Sequence, residues 1–577
     1  MESTEDSTVG STVATTQSTP GRSRRIVLGV PSMVGLTLAA FGYAAALTPS
    51  LLPRKLMFLL LLTALGALAG YAVGTTAWWA LRKIPPLGRW QAPRLLRFGI
   101  PAIAWLVAFG FTPVAVSWQG EQQTALDMPS TLPGTVTLIV MTVLISTLLL
   151  LVGRLIRLAT NKVAGLITRI GPVHRWVSGQ QPSRVHRSIA VVRACVAVAV
   201  IVLAVVGLRV GISALISSYD SVNANMEGQE PTNLGLNSGS PESYAPWETL
   251  GREGRFYVAN TMTPAAIGEI TGRPAQTPVR VYVGMEQGDT PDARTELAVK
   301  ELDRVGAWDR EYLVIFGVTG TGWVDPNAIN ALEAVTEGDV TTVAVQYSAV
   351  PSWIGFVIDP QTTIDQNRSM IDGVLAAWRA KPADQRPELI LFGQSLGAMG
   401  TQGAWDASDT PVDVTAEIPH VIWMGPPAAA VLWKTWQADR TSGPAWDPVV
   451  GDGSIVRVLV SSGDTSKGPK PAPTIVFAAH ANDPVVYWSP DLLLSKPDWL
   501  EPPLGPGVAP EMQWYPLVTF LQVGMDLIGG GEPPEVGHNY SANMAPAITL
   551  AVSPDGWTQE NTERLQAALP SLRYATG

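Results

Sequence analysis

Five apolar runs occupy most of the first 218 residues, near Ile26 to Thr48, Leu56 to Leu81, Phe98 to Trp118, Thr135 to Ala159 and Ser188 to Ile216. Each is long enough to cross about 30 Å of hydrocarbon. Backbone N–H and C=O groups in lipid must be satisfied within the segment, so runs of this length are expected to be helices. Composition agrees, because a chain of 577 residues with 46% hydrophobic and only 15% charged residues is short of charge for a wholly water-soluble protein. Ala44-Ala45-Ala46 offers a signal-peptidase site after the first run, but that run is too long for a usual signal core, and a retained helix is expected.

Charge divides the chain. Residues 1–218 carry 19 Lys and Arg against five Asp and Glu, whereas the remainder carries 20 against 43. The loop between the second and third runs holds Arg82, Lys83, Arg89, Arg94 and Arg97, and the loop between the fourth and fifth is again basic, with Arg154, Arg157, Lys162, Arg169, Arg175, Arg184 and Arg187; Gln119 to Gly134 has no Lys or Arg. The positive-inside rule places the two basic loops in the cytoplasm and everything after the fifth run outside. The expected division is a disordered cytoplasmic tail at 1–25, a transmembrane domain at 26–218, a linker at 219–251 and an extracytoplasmic domain at 252–577. An acidic outer domain argues against nucleic acid as a partner. Cys195 is the only cysteine, so there is no intramolecular disulfide and no cysteine-based metal site. No pair of acidic residues lies inside the runs, which makes transport a poor reading.

Beyond the linker, short β-rich runs alternate with helical stretches. Candidate strands are Arg255 to Asn260, Val279 to Met285, Tyr312 to Val318, Thr341 to Gln346, Leu389 to Phe392, His420 to Met424, Val456 to Ser461 and Thr474 to Ala479. This pattern predicts a mainly parallel sheet with helices on both faces and chemistry in the loops at the carboxyl ends of the strands. Gly393-Gln394-Ser395-Leu396-Gly397 follows one such strand and opens a helix, which is the spacing of a nucleophile elbow. Glycines two residues either side of the serine remove a Cβ where strand and helix come closest.

An elbow serine needs a base and an orienting carboxylate. Asp483 stands just beyond a buried strand, and His538 lies in a Gly/Pro-rich loop further on, in the order Ser, Asp, His. Of the five histidines only His480 competes with His538, and its position ahead of Asp483 reverses that order; Asp464 is the rival for the acid. The oxyanion hole is expected from the N–H of Leu396 together with one N–H from Thr319, Gly320 or Thr321, which follow an earlier strand. The sequence does not choose among those three. Neither a P-loop nor a dinucleotide-binding glycine pattern is present, so no cofactor and no metal are expected.

Gly393 to Gly397, His480 through Pro484 and Gly537 to Tyr540, preceded by the apolar runs, resemble an actinobacterial membrane-anchored α/β-hydrolase family long classed as of unknown function. The resemblance implies an α/β-hydrolase domain behind an α-helical transmembrane bundle, with Ser395 as nucleophile, Asp483 as acid and His538 as base, and no settled substrate. The function expected is a multi-pass, membrane-anchored serine esterase or lipase acting on lipid or cell-envelope esters through an acyl-enzyme. An acyltransferase to an envelope sugar or lipid hydroxyl, and a non-catalytic envelope binding protein, are the alternatives. Trp-rich stretches at 426–453 and 488–512 suit loops that cover an acyl chain.

Overall fold

The computed structural model describes residues 32–84, 92–129, 134–180, 182–227, 229–231, 234–466, 474–528 and 532–572. The tail expected at 1–25 and the start of the first apolar run lie outside the described residues. The apolar runs are helices: α1 (Met33–Leu47), α2 (Leu56–Leu81), α3 (Arg94–Ala125), α4 (Thr135–Ile167) and, after the short α5 (Gly171–Ser178), α6 (Pro182–Ala224). Among the described residues four helices, α2, α3, α4 and the Arg187–Ala224 part of α6, are long and apolar enough to cross a membrane, where five spans were expected. The described part of the first run is α1, which is shorter at 15 residues.

Gly66, Gly70 and Gly74 recur every fourth residue on α2, so they line one face. A Cβ at Gly66 would stand 2.5 Å from the Gly42 carbonyl oxygen of α1, one at Gly74 would stand 2.6 Å from the Val34 oxygen, and one at Gly70 would overlap the Leu38 oxygen. Only glycine lets the two backbones meet, which is how helices associate where lipid supplies no hydrophobic drive. On the outer side Leu106, Leu144, Leu155 and Leu203 are exposed, as lipid-facing positions would be.

Two expected boundaries differ from the structure. α6 continues past Ile216 to Ala224, and Leu234, Ala245, Trp247 and Leu250 pack into the core of the C-terminal domain, so much of 219–251 is folded rather than a bare linker. Arg255 to Asn260 is not a strand; it lies mostly in the helix α7 (Gly251–Ala259). Phe256 and Val258 mimic a period of two, yet the buried set includes Gly251, Gly254, Arg255 and Val258, the i, i+3, i+4, i+7 spacing of a helix.

The C-terminal domain is built on seven parallel strands, β1 (Val279–Val283), β2 (Tyr312–Gly317), β3 (Val340–Val345), β4 (Glu388–Gln394), β5 (His420–Met424), β6 (Val456–Leu459) and β7 (Ile475–Ala478). Their order in the sheet is β1-β3-β2-β4-β5-β7-β6. Leu313, Ile315, Leu391 and Trp423 enter one core, and Val314, Phe316, Phe392 and Ile422 enter the other, so both faces are covered. After β2 the chain turns toward β3, but after β4 it turns the other way, toward β5. The crevice left between the carboxyl ends of β2 and β4 is a topological switch point, where open α/β sheets hold ligands.

The two halves are joined by a polar clasp. The loop between α1 and α2 inserts Leu51 into the main core, and Leu52 meets Leu126 and Val536. Gln122 Nε2 donates to Ser50 O at 2.8 Å, and Gln522 Nε2 donates to Thr48 O at 3.0 Å. Arg54 lies 3.6 Å from Asp526 with both side chains buried, and Ser50 Oγ also donates to Asp526.

Candidate active site

Ser395 follows β4 with φ 54° and ψ −122°, a conformation that non-glycine residues rarely hold and that costs on the order of 1–3 kcal/mol. Its N–H donates to Met424 O at 2.8 Å, which ties the elbow to the end of β5. A Cβ at Gly393 would lie 2.7 Å from Gly397 O, and one at Gly397 would overlap Gly317 O. The glycines are therefore required by contact, as their spacing implied. The helix Leu396–Gln402 begins at once, and its first N–H groups have no intrahelical acceptor.

Asp483 is fully buried just beyond β7. Its Oδ1 accepts from Val485 N at 2.8 Å, while Oδ2 accepts from His538 Nδ1 and from the Tyr540 hydroxyl, each at 2.7 Å. Burial alone would raise the Asp483 pKa, but His538 and these donors outweigh it and hold the carboxyl below its usual range. Burial likewise opposes the His538 imidazolium, and the Asp483 carboxylate overrides it to raise His538 above its ordinary value. With Nδ1–H committed to Asp483, Nε2 carries the lone pair, and it has no partner among the described residues.

Gly425 places this ring beside the elbow. It directly follows Met424, which holds Ser395, and at φ 53° a Cβ there would lie 2.5 Å from His538 Cε1 and 2.6 Å from Tyr540 Cε2. Gly425→Ala is expected to displace His538 and, with that ring as the base the sequence implied, to lower turnover by about 10²-fold, the size of loss a misplacement of about 1 Å can cause. Steady-state kinetics on a soluble ester, with a thermal melt as the control for folding, checks this.

Residues 279–565 match the family described as Alpha/beta-hydrolase family, and residues 47–261 match the Alpha/beta-hydrolase family N-terminus. The chain belongs to this α/β-hydrolase family. No curated protein and no solved structure matches it. The N-terminal match covers the long apolar helices from α2 onward and the clasp loop, so the α/β-hydrolase family is recognised through both halves of the chain.

The remaining candidate residues separate by their hydrogen bonds. His480 has both ring nitrogens engaged, Nδ1 with Gly537 O at 2.8 Å and Nε2 with Asn543 Oδ1 at 2.9 Å, and it stacks on Tyr540. It shapes the acid and histidine loops. Asp464 Oδ2 accepts from Val460 N and Ser461 N, each at 3.0 Å, which is a turn-capping role. In the glycine loop after β2, Thr319 N–H is closed onto Trp323 O at 3.1 Å, and Gly320 N–H donates to Ser352 Oγ at 3.0 Å. Gln346 Nε2 holds the Thr321 carbonyl at 2.8 Å. Gln394, next to the serine, buries an Oε1 that has no partner among the described residues.

Sequence reasoning gave no role to Tyr540, Gly425 or Ser352. Tyr540 stands two residues after His538 and was part of the motif quoted for the family, but its hydroxyl matters only because the fold brings it onto Asp483, where it also accepts from His480 N at 3.1 Å. No local signal marks Gly425 or Ser352.

Proposed function

We propose that this α/β-hydrolase is a membrane-anchored serine hydrolase acting on ester bonds of lipid or cell-envelope substrates. The observation that carries it is the His538 ring, bonded through Nδ1 to buried Asp483 and free at Nε2, held over Gly425 beside a strained elbow serine. Ser395 Oγ attacks the ester carbonyl carbon as its proton passes to His538 Nε2. The oxyanion of the tetrahedral intermediate is met by the Leu396 N–H and an N–H of the Thr319-Gly320-Thr321 loop. The intermediate collapses, the C–O bond breaks, and the alcohol leaves with the proton from His538. Water then attacks the acyl-Ser395 ester with His538 again as base, releasing the acid.

The catalytic unit of this reading is 252–577, on the outer side of the cell membrane. The clasp supports that side: the outer domain rests on the loop before α2 and on Leu126 and Met128 just past α3, in the two loops opposite the basic ones.

Labelling of the detergent-solubilised protein with a fluorophosphonate, which needs an activated serine and no particular substrate, is the test. Wild type is expected to label, and Ser395→Ala and His538→Ala are expected to lose the label. A folded wild type that stays unlabelled overturns the catalytic reading.

A further inference from the structure

The short helix Ser352–Ile358 turns three large apolar side chains to the outside: Trp353, Val357 and Ile358 are 60%, 66% and 47% exposed. Its other face lies on the site. Ser352 Oγ accepts the Gly320 N–H, and a Cβ at Gly355 would lie 3.4 Å from Leu396 Cδ1. The helix thus lies against the Thr319-Gly320-Thr321 loop and the Leu396 side chain next to Ser395.

An aromatic row connects the helix to the membrane half. Phe356 meets Trp488 edge-on with centroids 6.1 Å apart, and Trp488 packs on Phe520 at 5.1 Å. Phe520 belongs to the helix Val518–Asp526, whose Val518 packs with Ala45 and Ala46 of α1 and Leu62 of α2, while Tyr515 just before it meets Phe41 of α1. Phe41 and Leu62 each lie six residues from the helix end nearest the outer domain, or roughly 9 Å along the axis. α2, at 26 residues, is roughly 39 Å long against about 30 Å of hydrocarbon. With the excess shared between the two ends, the level of Val518 and Tyr515 is roughly 4–5 Å inside the outer edge of the hydrocarbon. Leu494 and Ile528, 79% and 58% exposed, flank the same helix Val518–Asp526.

From this continuity we infer that the outward face of Ser352–Ile358 is seated in the lipid surface of the chain's own membrane, and that acyl substrate reaches Ser395 from the bilayer along this helix. The occupant of the face is lipid. The apolar row runs unbroken from the spanning helices to the site, and Trp353 has the amphipathic ring that favours the interface. The route to Ser395 rests on the serine-hydrolase reading above, but the lipid contact does not.

The test uses the full chain in nanodiscs, in a Cys195→Ala background. Val357→Cys is labelled with an environment-sensitive fluorophore, and Asp384→Cys serves as the control. Asp384 is exposed in the turn before β4, at the amino end of the sheet and opposite Ser395. Replacing ordinary phosphatidylcholine with its brominated form is expected to cause a loss of emission at position 357 and none at 384. Equal behaviour at the two positions overturns the proposal. Emission at 357 that responds to protein density and not to bromination overturns it in favour of a second copy of the chain. In a second arm, Val357→Glu with Ile358→Glu is expected to lower turnover of a long-chain ester in vesicles at least tenfold, with fluorophosphonate labelling and hydrolysis of a short soluble ester retained; an equal fall on both esters overturns the bilayer route. Failure of wild type to label removes the hydrolase reading while leaving the quenching result to stand or fall by itself.

Discussion

Asp483→Asn is expected to lower ester turnover by about 10⁴-fold, and Ser395→Ala by about 10⁶-fold, with the fold retained in both. In the proposed mechanism the serine variant loses the atom that forms the acyl-enzyme. The asparagine variant is more informative, because size and shape are kept. Oδ2 of Asp483 takes the His538 Nδ1–H and the Tyr540 hydroxyl together. An amide nitrogen there turns both bonds into donor–donor contacts, and an amide oxygen there leaves an NH₂ facing the Val485 N–H. The imidazole then loses the bond that keeps its proton on Nδ1, and the lone pair at Nε2 with it. A pH profile separates this from simple disruption. Asp483 raises the His538 pKa, so wild-type kcat/KM is full on the alkaline side and lost as pH falls through that raised value. Without the carboxylate the residual activity of the variant should hold to lower pH. An acid limb at the same pH in both proteins would mean that Asp483 does not act on His538.

The parts of this molecule that were legible in the sequence are those whose cause is local. Seven of the eight candidate strands are strands because each is a run of β-branched and other apolar residues bounded by turns, and a strand buried on both faces needs nothing else. Gly393 and Gly397 announced themselves for the same reason: the contacts that exclude a Cβ are with Gly397, Ala398 and Gly317, near in sequence or on the adjoining strand. Arg255 to Asn260 misled because six residues can satisfy both periods, and the deciding positions, Gly251 and Gly254, lay outside the window. Gly66, Gly70 and Gly74 were visible at spacing four, but their meaning depends on α1 lying against them. The oxyanion loop could not be resolved further because Thr319, Gly320 and Thr321 differ only in which N–H the fold engages. The clasp was beyond reach altogether, since nothing near Arg54 foretells Asp526.

That clasp gives the largest effect expected away from Ser395, Asp483 and His538. Arg54→Met should cost on the order of 3–5 kcal/mol, because it leaves a buried carboxylate without its cation. Burial already pushes Asp526 up from the ordinary 3.8 to about 6, against the opposing pull of Arg54. A carboxyl whose folded-state pKa is raised contributes stability that is fully present below its unfolded pKa and is lost as pH rises through the folded value. Removing Arg54 moves that value higher still, so the variant should be nearest to wild type in acid and fall furthest behind between pH 6 and 8. Arg54→Met with Asp526→Leu removes both charges and should recover most of the loss, short by about 1 kcal/mol for the acceptor that Ser50 Oγ and the Leu52 N–H give up. Thermal melts in detergent at three pH values test each step. The same variants report on the site, because the segment that the ion pair fastens carries Leu52, and a Cβ at Gly537, next to His538, would stand 3.0 Å from Leu52 Cδ1. Turnover should therefore drop in the single variant and return in the double. If the single variant melts and turns over as wild type does, the membrane half is an anchor and nothing more; if both fall and recover together, it is part of what holds the base in place.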